Sequence, residues 1–191
     1  MKKMIMMVVA SIMVTMNVKA QNDDLKHEVG LYYGFGSVSN LVSSIGAAFS
    51  VSTGDQTGFW GPVGMEYFYH ASPVIGIGAV ASIAGCKFDE PYGSNASLSE
   101  KYYTFMPAVK FNWLRKEHFG MYSGLAAGLM FINPSASGTD SNGKEVECNS
   151  EGFFMYQLSA LGVEFGSNIR GFAELGFGEK GVLCAGLRYK F

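Results

Sequence analysis

Gly181 to Phe191 reads GVLCAGLRYKF. Taken with a period of two, Leu183, Ala185, Leu187, Tyr189 and Phe191 make one face, and Cys184, Gly186, Arg188 and Lys190 make the other. Successive side chains on a strand point to opposite faces, so this stretch is a strand with one apolar and one polar side. Two settings suit it. One is the edge of a soluble sandwich. The other is the closing strand of a membrane barrel, with its aromatic end at the membrane–water interface. The rest of the chain discriminates between them.

The opening residues speak for export. Lys2 and Lys3 precede the apolar run Met4 to Met16, and Val18-Lys19-Ala20 places small or β-branched residues before a cleavage point. This is the pattern of a secretory signal over residues 1–20, and the mature chain is expected to begin at Gln21. The run is short for a spanning helix, and no later stretch reaches the roughly 18 apolar residues that one needs. No Cys follows the cut, which argues against a lipoprotein.

Hydrophobic residues are 48% of the chain and charged ones 16%, low for a soluble domain. The formal net charge of −2 offers nothing to nucleic acid. Residues 21–191 suffice for one domain. The three cysteines, Cys86, Cys148 and Cys184, are widely spaced and form neither a metal-ligand pattern nor a disulfide framework.

Alternation recurs along the chain. Strands are predicted over His27 to Gly36, Thr57 to His70, Val74 to Cys86, Glu100 to Leu114, Phe119 to Phe131, Gly152 to Gly166, Arg170 to Gly178 and the closing stretch. The sixth is weakest at Gln157, where its two faces are hard to tell apart. Pro107, lacking a ladder donor, predicts a bulge in the fourth. Between the first two strands, Leu41, Val42, Ile45 and Phe49 recur at helical spacing, so a short helix is expected within Ser37 to Gln56. A further pair of strands there is the alternative.

Two regularities decide the fold. The connections alternate long and short, ending in a brief hairpin, as in barrels with short periplasmic turns and longer outer loops. Glycines such as Gly30, Gly64, Gly78, Gly128, Gly162 and Gly186 crowd the face opposite the bulky apolar one. A soluble barrel packs large apolar groups inward; here they point out. The expected fold is all-β: an eight-stranded antiparallel up-and-down transmembrane β-barrel with a short helix in its first outer loop. Closure also leaves no unpaired edge in lipid.

VGMEYFYHASPVIGIGAVAS (Val63 to Ser82), LGVEFG (Leu161 to Gly166), FAELGFG (Phe172 to Gly178) and GLRYKF (Gly186 to Phe191) resemble small outer-membrane barrels of the OmpA/OmpX type. The resemblance covers essentially the whole mature chain. It implies an integral protein of the Gram-negative outer membrane, in contact with its lipid, whose C-terminal strand engages the barrel-assembly machinery. A monomer is expected. The family ranges from structural anchors to adhesins and a few lipid enzymes, so the resemblance implies no reaction.

No catalytic, cofactor-binding or metal-ligating residue is assigned. Glu66, Lys110, Glu164, Glu174, Arg188 and Lys190 fall on the inner face, where lone charges are costly, so an ion-pair network filling the lumen is expected. Within it Glu174 should lie level with Gly186 and pair with Arg188 one inward step below. His27, His70 and His118 fall at the periplasmic rim and read as interface residues. Trp60, Tyr67, Tyr103, Trp113, Phe131, Tyr189 and Phe191 read as aromatic girdles. Cys86 and Cys148 fall in or beside outer loops, where an oxidising compartment permits a bridge. Cys184 reads as a buried small residue.

The leading function is structural or surface-interacting, without catalysis and with any surface ligand unidentified. The alternatives are an outer-leaflet lipid-modifying enzyme and a small-solute channel. The first would need a histidine at the outer rim, and eight strands leave little room for the second.

Overall fold

The computed structural model describes residues 25–38, 56–89, 97–137 and 151–191. Eight strands follow in order: β1 His27–Phe35, β2 Gln56–His70, β3 Ile75–Asp89, β4 Ser97–Arg115, β5 Phe119–Ser137, β6 Glu151–Gly166, β7 Ile169–Gly178 and β8 Leu183–Lys190. Each pairs antiparallel with its sequence neighbour, and β8 returns to β1 to close the barrel. The expected helix within Ser37 to Gln56 lies almost wholly outside the described residues, as do residues 1–20 and Cys148.

The barrel is inside-out. Leu31, Met65, Ile77, Phe105, Leu125, Leu158, Leu175 and Leu187 are exposed on its outer wall. Glu28, Glu66, Lys110, Glu164, Glu174, Arg188 and Lys190 are buried inside. An apolar band outside and a polar interior define a membrane-spanning barrel. The aromatics Trp60, Tyr103 and Phe131 on the outer half, and Tyr67, Trp113, Tyr189 and Phe191 toward the other end, all project outward.

Glycines set the lumen's width. Tyr32 lies across Gly64 of the next strand and Tyr122 across Gly162, each ring filling the place a Cβ would take. Two large rings thus fit a narrow interior.

Two expectations are corrected. Pro107 carries no bulge: β4 keeps one register against β5 from Phe105↔Leu129 to Ala108↔Ala126, and Ala79↔Pro107 sits in an unbroken ladder with β3. The absent donor is absorbed by leaving Met106 and Pro107 out of the β5 ladder, with no residue inserted. The irregularity in β4 lies instead between Asn112 and Leu114. Second, β4 and β5 run further outward than alternation suggested, to Ser97↔Ser137. Residues there are small and polar, so pairing continues after the apolar period has ended.

Candidate functional site

β7 and β8 bring Glu174 and Arg188 into the lumen, β2 brings Glu66, and β1 brings Glu28. Glu174 stands opposite Cys184, not Gly186, so Arg188 is two inward steps away. The pairing of β7 with β8 is centred on Glu179 and not on Lys180, which moves the partner of Glu174 by two positions. The long Arg188 side chain still reaches: its Nη2 donates to Glu174 Oε1 at 2.6 Å.

Arg188 is the hub. Its Nε lies 3.1 Å from Glu28 and also bonds Glu66, and its Nη1 lies 3.5 Å from Glu164. The guanidinium carbon sits 3.6 Å from the Phe172 ring centroid and 4.5 Å from that of Tyr122. A planar, weakly hydrated cation suits this sandwich of carboxylates and ring faces. Lys110 joins Glu28 at 2.7 Å and Glu164 at 3.3 Å, and Lys190 bonds Glu164.

Three members of the network, Glu28, Arg170 and Lys180, and the buried Glu179 beside Lys180 were not singled out from sequence. Glu28 and Arg170 share the parity of residues assigned to the inner face, so their direction was legible. Arg170 binds Glu164 at 3.0 Å and donates to the carbonyls of Lys116 and Glu117, tying one turn to its neighbour. Glu179 and Lys180 gave no such signal, because turn residues are read as solvated. Both are buried. Lys180 Nζ sits 2.9 Å from Glu66 and 2.7 Å from Glu174. Burial works against its charge, yet Glu174 and Glu66 hold the ammonium above the usual lysine range.

The histidines divide. All three lie at the end that carries both chain ends. His27 is on the outside, stacked on Phe191 and bonded to the Tyr67 hydroxyl at 2.8 Å. His118 is exposed in a turn. His70 is not an interface residue: it is buried, with Nε2 2.9 Å from Glu28. Its even position in β2 puts it on the face of Glu66 and Phe68. Cys86 is also relocated, from a loop edge to the inner face of β3, where it is buried. Cys184 is a free thiol packed among Tyr32, Phe68 and Phe172. Among the described residues, no group of three or more His, Cys, Asp or Glu is arranged to hold a metal ion.

The outer rim is uneven. β4 and β5 have 19 residues each, β7 has 10 and β8 has 8. A tilted strand crosses a bilayer in roughly 9–11 residues, so β4 and β5 continue well past it. β1 pairs with β2 only as far as Tyr33↔Val63, and β7 pairs with β6 only from Gly178↔Gln157. A wall of β2 to β6 therefore rises beyond β1, β7 and β8. Among the described residues, its flanking edges at the top of β2 and at Glu151 to Met155 of β6 have no ladder partner.

The class defined by this geometry is a small integral outer-membrane barrel. No family model and no curated protein matches the sequence. Solved structures similar to it include Ail, the attachment invasion locus protein of Yersinia pestis, in complex with the heparin analogue sucrose octasulfate. That chain is 17% identical, with 87% of this chain and 97% of that one covered and a TM-score of 0.44. The Yersinia pestis Ail backbone in a phospholipid bilayer nanodisc is 14% identical, covering 88% and 100%, at a TM-score of 0.42.

Proposed function

We propose that this protein is a non-enzymatic outer-membrane barrel whose raised wall meets partners outside the cell. Its lumen is closed by side chains and serves stability. The unequal rim carries this reading. A purely structural barrel needs no strands beyond the bilayer, whereas unpaired edges present rows of backbone donors and acceptors to an extended partner segment. The Tyr156 carbonyl accepts from Glu179 N–H on the β7 side, so in this unbulged part of β6 the backbone groups of Phe154 and Gly152 face the same open edge. Phe154 is 68% exposed beside them.

A catalytic reading has less support. All three histidines of the chain lie at the opposite end. A channel has less still: the space left among Lys110, Tyr122, Gln157, Glu174 and Arg188 is about 20 Å³, about enough for one water. We further propose that residues 1–20 are removed as a signal peptide and that the remaining chain is a single barrel domain. It inserts as a monomer through its closing strand.

The test is adhesion. A deletion strain is expected to bind protein-coated surfaces less well than its parent. Phe154→Ala, which keeps the edge N–H, should restore binding, and Phe154→Pro, which removes it, should not. Binding restored by both variants would exclude strand addition at this edge. Undiminished adhesion of the deletion strain, together with envelope sensitivity, would leave only the structural role.

A further inference from the structure

The connection between β7 and β8 does not project outward. Glu179 and Lys180 are 1% and 4% exposed. Glu179 N–H donates to the Tyr156 carbonyl at 3.0 Å, and Val182 N–H to that of Phe35 at 2.9 Å, so the segment bridges from β6 to β1. Lys180 N–H donates to Gln157 Oε1 at 2.8 Å, and Gln157 Nε2 to the Gly181 carbonyl at 3.3 Å. The Lys180 carbonyl occupies the space that a Cβ on Gly34 would need. Gly178 and Gly181, with φ of 139° and 104°, adopt backbone angles that other residues rarely take.

The side chain completes the arrangement. Lys180 Nζ lies between Glu66 and Glu174 and 4.7 Å from the Tyr32 ring centroid. Two carboxylates and an aromatic face are what a primary ammonium needs once it leaves water. The carboxylates come from the wall, whereas the ammonium comes from the connection.

We propose that Glu66, Glu174 and Tyr32 form an ammonium-binding site at the outer end of the lumen, filled by Lys180 as a tethered ligand that latches the β7–β8 connection into the barrel mouth. Without its ammonium the connection lifts. The vacated site then takes a small primary alkylammonium from the outer side. A tethered ligand competes at an effective concentration of the order of millimolar or above, so wild-type protein keeps its own lysine in place against dilute external amines.

The experiment uses the purified full chain in lipid vesicles, with a Glu-specific protease and mass spectrometry of the C-terminal fragment released at Glu179. Wild type should resist cleavage there and Lys180→Ala should be cleaved. Propylammonium should restore protection of Lys180→Ala and raise its melting temperature saturably, where sodium at equal concentration does neither. The rescue should vanish when Glu66→Gln and Glu174→Gln are added. Protection of Lys180→Ala equal to wild type would overturn the proposal, as would propylammonium acting no better than sodium. Should Lys180→Ala fail to fold, refolding yields with propylammonium and with sodium decide the matter: a higher yield with the ammonium supports the site, and equal yields refute it.

Discussion

Arg188 touches four glutamates, Glu28, Glu66, Glu164 and Glu174, inside a wall of lipid. Removing one partner of a buried ion pair strands the other, at about 3–5 kcal/mol, whereas removing both can be nearly neutral. Arg188→Met is therefore expected to destabilise the barrel by about that amount in urea unfolding. Adding Glu174→Leu should recover part of the loss, not all of it, because Glu66 and Glu28 still face the vacancy. Additive losses would mean that the two side chains do not act as a pair. Alternation made Glu174 and Arg188 legible in the sequence, since both sit at inward positions of adjacent strands, although the expected register placed them one inward step too close. Lys180 was illegible: nothing in Gly178-Glu179-Lys180-Gly181 distinguishes a turn that dips into a lumen from one in water. Phe191 makes a separate case. It stacks on His27 and Tyr189, and its backbone pairs with His27 in both directions at 2.9 Å, closing the barrel seam. Phe191→Ala should lower the yield of assembled protein in the outer membrane, measured as the heat-modifiable band on gels. An unchanged yield would separate the aromatic terminus from assembly.

At the scale of the strand, bulges explain where alternation faded. In β6, Gln157 and Ser159 face inward together with Gly162 and Glu164, although their parities differ. The register against β5 shifts between Tyr122 and Gly124, and against β7 between Ser159 and Leu161. An inserted residue at this level flips the parity, which is why the two faces blurred at Gln157. The Ala160 carbonyl displaced there accepts from the Ser123 hydroxyl at 2.6 Å, so that carbonyl is not left bare toward lipid. Neither bulge has a sequence mark as plain as proline, and the proline that is present has none. Glycine positions can be tested at this scale. A methyl at Gly34 would overlap the Lys180 carbonyl, whereas one at Gly171 would meet nothing within 4 Å. Gly34→Ala is expected to cost about 1–3 kcal/mol in urea unfolding, as overpacking does. Gly171→Ala should stay within about 0.5 kcal/mol of wild type. Equal effects would show that the connection can retreat from β1 at little cost.

The whole molecule joins a closed base to an uneven top. Alternation made the base legible because lipid outside and a narrow lumen inside impose opposite chemistry on successive residues. The top was under-read because beyond the bilayer that contrast ends, and Ser97 to Lys101 pair with Asn133 to Ser137 without an apolar face to mark them. The base also bears on what can pass through it. At the level of Arg188 the lumen holds Phe172, Tyr122, Lys110 and Lys190, all buried, together with four carboxylates. The cavity lined by Lys110, Tyr122, Gln157, Glu174 and Arg188 is about 20 Å³, about the room of one water, and eight strands leave an interior just wide enough for side chains. Lys110, Arg170, Lys180, Arg188 and Lys190 are each held by at least one carboxylate, so none of these swings aside without leaving a buried charge unpaired. Purified protein in planar bilayers is therefore expected to show no discrete conductance steps at neutral pH. Arg188→Met, which empties the hub, is the variant in which brief openings should first appear. Stable channel steps from the wild type would mean that the network rearranges at low cost, and the lumen would then have to be read as a gated path.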